Sequence, residues 1–397
     1  MAILGYRTAL TLAAMAALLG AKPTDAADRP DLSVTLTGQS LVVSDIRVDT
    51  PSFVPMIRPL LTGDVVFTDF ETTVMKKGDS LRDADPHAVY GEPVILDVLQ
   101  AMGFNLFAFS NNHSFDIGTV GVLNALHEGD ARHLAHAGTG NNIAAAAAPA
   151  YLDTPHGKVA LVAMASGLIR PGGGATDTHP GVDEIRMEGA IPNVDAGHPN
   201  PEDARRILQS IREAAKHADL VIAYHHNHVY DKDFVTMMRQ ELPERLVPPK
   251  WIKKWAHEEV DAGADIVVMH GAPLLQGVEI YHGRPIFYDM GNFIFQLPLH
   301  VDIFEPVVYD SVVAHVDFHG KTLKSITLDP ITLNIVGHGQ GALAQYTRGL
   351  PASVTGERAG YVLQRIIDAS RPFGTNFARK GDAAELVLAP RAHRQKH

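Results

Sequence analysis

The tract His225-His226-Asn227-His228 puts three histidines within four residues. Histidine is the commonest metal ligand and the usual proton carrier near neutral pH, so this density marks a place for metal or acid–base chemistry. The tract follows directly on an apolar run, residues 220–224. Four other polar groups are placed in the same way. Gln39 comes after the run 32–37, Asp69 and Glu71 after 64–68, and Asn111-Asn112-His113 with Asp116 after 105–109; His270 comes after 266–269. Each of these side chains can ligate a cation, donate a hydrogen bond or carry a proton. Each also has a structural reading. Glu71 can be a solvated loop carboxylate, Asn112 can satisfy its own turn, His113 can cap a helix, and one of His226 and His228 is expected to face away. Their coincidence at five strand ends favours a functional cluster.

The apolar runs imply the elements that must position these groups. Runs 32–37, 64–68, 105–109, 158–163, 220–224 and 266–269 read as buried strands. Between them, Ile95, Val98, Leu99 and Met102 share one helix face, and Asn200 before Pro201 reads as an N-cap. Trp251, Ile252, Trp255, Ala256 and Val260 give another apolar helix face, which Gly263 ends. Strands alternating with helices predict an α/β protein with parallel pairing, and such sheets bind ligands beyond the carboxyl ends of their strands. Later strands, 307–318 and 322–328, follow one another without a helix, which predicts two mixed sheets. A helix is expected over 355–370. The glycine- and proline-rich stretch 170–201 reads as a long surface loop near the site, with Asp183 and Glu184 as a solvated pair.

Composition removes several alternatives. The 397 residues contain no cysteine, which excludes disulfides, thiolate metal sites and a thiol nucleophile. Forty-five acidic against 34 basic residues leave a net charge of −11, opposite to a nucleic-acid-binding face. No Gly-x-Ser-x-Gly elbow or Walker-type loop is present. Residues 1–20 carry one charge, Arg7, ahead of an uncharged run from Ala9 to Gly20, and small residues Thr24, Ala26 and Ala27 follow. This predicts a signal peptide over 1–27, one domain over 28–397, and a periplasmic or secreted protein. Membrane attachment is expected only if that signal stays uncleaved.

Longer motifs carry a resemblance. Gly103-Phe104-Asn105, Asn111-Asn112-His113-Ser114-Phe115-Asp116-Ile117-Gly118, Gly138-Thr139-Gly140-Asn141 and Gly291-Asn292-Phe293 resemble, in order, the motifs of the CapA family of capsule and poly-γ-glutamate biosynthesis proteins. That family looks like a branch of the calcineurin-like metallophosphoesterases. The resemblance implies a four-layer αββα sandwich with metal ligands at successive strand ends. It makes Glu71 the bridging carboxylate, Asn112 the amide ligand, His225 and His270 the histidine ligands, and His113 the general acid. Asp116, His226 and His228 are the further candidates for catalysis. Where the wider superfamily begins with Asp-x-His, this chain has Gln39-Ser40-Leu41, and Pro273 stands where a second terminal histidine belongs. A neutral amide replaces a carboxylate poorly around a divalent cation. One metal per chain is therefore expected, with any second ion held weakly by Gln39, His226 or His228.

A bound Zn, Mn or Fe ion would acidify water to a pKa of about 7 and polarise an acyl or phosphoryl oxygen. The expected activity is hydrolysis of an extracellular polymer or its fragments at a γ-glutamyl amide or a phosphoester. A small-molecule substrate or an anionic polymer is the expected partner, and nucleic acid is not. The competing expectation is a non-catalytic accessory protein for polymer synthesis or export, docking an anionic polymer on patches such as Lys76-Lys77 or Lys250, Lys253 and Lys254.

Overall fold

The computed structural model describes residues 31–189, 197–230, 245–297 and 304–388; the expected signal, residues 1–27, lies outside them. In chain order the main strands are β1 (Asp31–Leu36), β2 (Gln39–Leu41), β3 (Val65–Asp69), β4 (Leu106–Ala108), β5 (Ala135–Ala137), β6 (Ala150–Thr154), β7 (Gly157–Ser166) and β8 (Leu220–Asn227). They continue as β9 (Ile266–His270), β10 (Val278–Tyr281), β11 (Arg284–Phe287), β12 (Asn292–Phe295), β13 (Asp310–His319), β14 (Thr322–Leu333), β15 (Phe377–Lys380) and β16 (Ala383–Leu386). The longer helices are α1 (Val94–Met102), α2 (Thr119–Ala131), α3 (Pro201–His217), α4 (Lys250–Ala262) and α5 (Gly356–Ser370).

Two large mixed sheets result. One runs β15-β16-β14-β13-β1-β3-β4-β5, the other β10-β11-β9-β8-β7-β6. In the first, β1, β3, β4 and β5 are parallel while β13 and β14 join antiparallel. In the second, β7, β8, β9 and β11 are parallel and the edges antiparallel. Side chains alternate across each strand, and the packing partners follow that alternation. Val34, Leu36 and Phe67 from one sheet pack against Leu161, Ile222 and Val268 from the other. The opposite faces are covered by helices. Ile95, Val98 and Leu99 of α1 pack over Val66 and Phe107. Ile207 and Ile211 of α3, with Trp251 and Trp255 of α4, pack over Val221, Ala223 and Val267. The architecture is thus a four-layer αββα sandwich.

The local signals act as expected at the helix ends. The Asn200 side chain accepts from the Glu202 and Asp203 N–H groups, and α4 stops at Gly263. Two expectations change. The stretch 170–201 is not a plain surface loop: Gly181–Val182 pairs with Thr139–Gly140, and Met187–Glu188 with His198–Pro199; residues 190–196 lie outside the described set. Within it Asp183 is fully buried and meets Arg206 Nη2 at 2.8 Å, so it is a structural ion pair, not a solvated carboxylate. The strand expected to end at residue 224 continues to Asn227, because the ladder with β7 runs on through Met164↔His225, Ala165↔His226 and Ser166↔Asn227.

Gly271, after β9, has φ +124°, and a Cβ there would stand 2.0 Å from the Asn227 carbonyl oxygen. Gly172 also has positive φ, +84°, but nothing lies within 4 Å of its Cβ position. Left-handed backbone alone costs a non-glycine residue about 1–2 kcal/mol. Gly172→Ala is expected to lose about that much in denaturant unfolding. Gly271→Ala is expected to lose clearly more, since β8 and β9 must separate to admit the methyl group; equal losses would contradict this packing.

Candidate metal centre

The ends of β3, from one sheet, and of β8 and β9, from the other, meet at one edge of the sandwich. Asp69 closes β3 and is fully buried. Its Oδ1 accepts from Asn111 Nδ2 at 2.9 Å, and its Oδ2 lies 3.2 Å from His226 Nδ1. Two residues on, Glu71 Oε1 stands 3.7 Å from His226 Nε2 and 3.9 Å from His113 Nε2. Glu71, His226 and His228 each offer one ligand atom, and the three atoms lie within 4.8 Å of one another. His270 is aligned with His226 across the β8–β9 ladder. Tyr224 Oη lies 3.2 Å from His226 Nδ1 and 3.3 Å from His270 Nδ1 and so fixes both rings.

The turn after β4 carries Asn111, Asn112 and His113. Asn111 has its amide committed: Nδ2 donates to Asp69 and to the Phe70 carbonyl, while Oδ1 accepts from His113 N–H and Ser114 Oγ. Asn112 is different, since its Oδ1 is buried without a hydrogen-bond partner. His113 Nδ1 lies 2.8 Å from Asp116 Oδ2, which also accepts from the Val89 N–H at 2.6 Å. The ring is thereby oriented by one edge while Nε2 faces Glu71. The His113 side chain keeps 18% exposure, so the group faces an opening.

The electrostatics have one direction. Burial raises the pKa of Asp69 and Glu71, with the charges of His270 and His113 respectively only partly opposing it. Burial also pushes Asp289 to about 8 and depresses His226 and His270 to about 3. His113 is the exception: burial works against its charge, but Asp116, Glu71 and Asp69 together lift it to about 9. Glu71 Oε2, His226 Nε2 and His270 Nε2 are all buried without a hydrogen-bond partner. Unpaired buried polar atoms are costly, and a cation among them inverts the local pKa balance. Carboxylate, imidazole and amide donors are a set that divalent metals accept. The His/Glu cluster is compatible with a metal site.

The structure brings Glu71, Asn112, His113, Asp116, His226, His228 and His270 to this edge but not His225. Side-chain period two turns His225 to the outer face, where Nε2 meets Ser166 Oγ at 2.9 Å and the ring packs on Trp251 with centroids 5.8 Å apart. One of the three histidines was expected to face away, His226 or His228 first; the one that does is His225, while the His226 and His228 ring centroids are 4.9 Å apart. Gln39 spends its Nε2 on Asn292 Oδ1 at 3.0 Å and leaves Oε1 buried and unpartnered. Sequence reasoning passed over Asp289, which also follows a strand end, after β11. Its carboxylate accepts the Gly291 and Ala272 N–H groups at 2.7 and 2.8 Å, tying the loop after His270 to that after β11. Tyr224 was legible only as a core residue.

Residues 17–297 match the model of a family described as bacterial capsule synthesis protein PGA_cap. The match takes in the whole cluster, from Gln39 to Asp289. The uncharacterized protein y4sH of Sinorhizobium fredii is 28% identical, over 82% of this chain and 86% of its own. The capsule biosynthesis protein CapA of Bacillus anthracis is 26% identical, over 90% of this chain and 78% of its own. The PGA biosynthesis protein CapA of Bacillus subtilis is 28% identical, over 58% of this chain and 53% of its own. Since the family match spans well over half of its length, the chain belongs to the bacterial capsule synthesis protein (PGA_cap) family.

Proposed function

We propose that this chain is an exported, metal-dependent hydrolase of an extracellular anionic polymer or its fragments, cleaving a γ-glutamyl amide or a phosphoester. The observation that carries the reading is the pairing of the Glu71–His226–His228 cluster with a histidine acid 3.9 Å from Glu71. Glu71, His226 and His228 would hold one divalent ion, with Asn112 and His270 beside them. When bound, Zn, Mn or Fe supplies Lewis-acid stabilisation of charge developing on an acyl or phosphoryl oxygen. The names of the Bacillus relatives support a capsule polymer as the substrate class. The charge pattern of residues 1–27 supports export, and among the described residues no helix is long and apolar enough to cross a membrane.

The chain's own groups divide the remaining work. Asp116, itself fixed by the Val89 N–H, holds the His113 ring by Nδ1. That leaves the Nε2 proton directed at the cluster and available to a leaving amine or alkoxide. The contact with Asp116 raises the pKa of His113, the direction that favours a general acid. Asn111 braces the turn against β3, so acid and ligands keep a fixed separation.

Elemental analysis of the purified protein is expected to find about one divalent ion per chain. Glu71→Gln and His226→Ala should reduce this to background. His225→Ala should keep the ion but lose stability on the order of 1–3 kcal/mol, because Ser166 loses a buried hydrogen-bond partner. Metal lost in His225→Ala and kept in His226→Ala would overturn the assignment. With metal retained, His113→Gln is expected to lower kcat by roughly 10²–10⁴-fold on whichever amide or phosphoester a hydrolase panel identifies. Unchanged turnover would remove His113 from the acid role.

A further inference from the structure

A cavity of about 850 Å³ lies on the outer side of the first sheet, among residues 43–49, 75–95 and 345–346, and none of the metal-centre residues lines it. That volume suits a small-molecule ligand. Part of its wall is apolar and includes Val48 and Leu81, which are 73% and 41% exposed. Large aliphatic side chains exposed around a concavity mark a surface that gains by being covered. Asp45, Asp49, Asp85 and Glu92 also line it, while no lysine, arginine or histidine among the described residues does. Arg47 neutralises Asp45 at 2.8 Å. Asp49 and Glu92 have no ion-pair partner among the described residues. A ligand matching both features has an aliphatic body and a positively charged nitrogen; an anionic one would meet four carboxylates.

The wall reaches the acid group. Ala84, Asp85, Pro86 and Ala88 line the cavity. From the same segment, the Asp85 N–H donates to the Asp116 carbonyl at 2.7 Å and the Val89 N–H to Asp116 Oδ2 at 2.6 Å. Asp116 holds His113. A ligand that orders residues 84–89 thus bears on the carboxylate that orients the ring.

We propose that this cavity binds a ligand carrying a cationic amine on an aliphatic body, and that residues 84–89 link its occupancy to Asp116. The link gains its catalytic meaning from the hydrolase reading, but binding is independent of it and is tested without turnover. In the metal-loaded full chain, n-hexylamine is titrated by saturation-transfer NMR beside n-hexanoate and n-hexanol. Hexylamine is expected to bind at least about tenfold more tightly than either, and Asp49→Asn/Glu92→Gln to abolish most of that preference, as removal of the unpaired charges requires. Amide hydrogen exchange should slow over residues 81–92 on hexylamine addition. Equal binding of hexanoate, no saturable hexylamine binding, or an unchanged preference in the double variant overturns the ligand class. Protection confined to other segments overturns the link. Metal content at the wild-type level in the double variant shows that the centre is intact, so these results stand apart from the fate of the hydrolase reading.

Discussion

The site depends on one registration: β7, β8 and β9 hydrogen-bonded so that His226 lies beside His270 and opposite the end of β3. A strand changes face at every residue, so a slip of one position would bring His225 into the cleft and drive His226 into the tryptophan layer. Apolar contacts on both faces resist that slip. Ile222 and Tyr224 are committed to the inter-sheet core, Val221 and Ala223 to the helices. Gly271 adds a local constraint, since only a residue without Cβ lets the turn after His270 lie against the Asn227 carbonyl. The histidines are thus aimed by aliphatic packing several residues upstream.

That same packing explains which parts of the molecule could be read from sequence. Element positions were legible because apolar runs alternate with amphipathic helical stretches and helix ends carry Asn200 and Gly263 as start and stop signals. The strand-end rule found most of the cluster. It could not choose between His225 and His226, because a strand buried on both faces has no polar side to set its phase. Reading Leu220-Val221-Ile222-Ala223-Tyr224 gives five apolar residues whichever way the strand is turned. The choice belongs to the pairing of two sheets distant in sequence, as when Phe67 meets Tyr224 with ring centroids 5.4 Å apart. Asp183 escaped for a similar reason: its partner, Arg206, sits on a helix 23 residues further on.

The centre concentrates carboxylates and imidazoles where water is largely excluded, an arrangement that opposes stability on its own. Asp69 and Asp289 show how part of that cost is offset. Asn111 serves Asp69, and backbone N–H groups serve Asp289. Glu71 Oε2 and the Nε2 atoms of His226 and His270 receive no such service. Asp310, away from the centre, is by contrast paired with Arg358 and Arg365. Glu71, His226 and His228 do bring ligand atoms within 4.8 Å of one another, which is compatible with a metal site, and the N/O composition follows from a chain without cysteine.

His113 belongs to this centre but is governed from outside it. Its Nε2 faces the cluster, whereas its orientation comes from Asp116, and Asp116 is held by backbone from the 84–89 segment. Asn111 ties the first residues of the same turn to β3. The turn that carries His113 is therefore clamped at two ends of different character. One is the rigid, fully buried end of a central strand. The other is an irregular segment with exposed side chains beside a cavity, where local opening costs less. On the hydrolase reading proposed above, a group that must keep its distance from metal ligands and still admit a substrate gains from this asymmetry. Movement at the outer clamp changes the aim of the ring without disturbing the ligands, because Glu71 is fixed by β3 and His226 by β8.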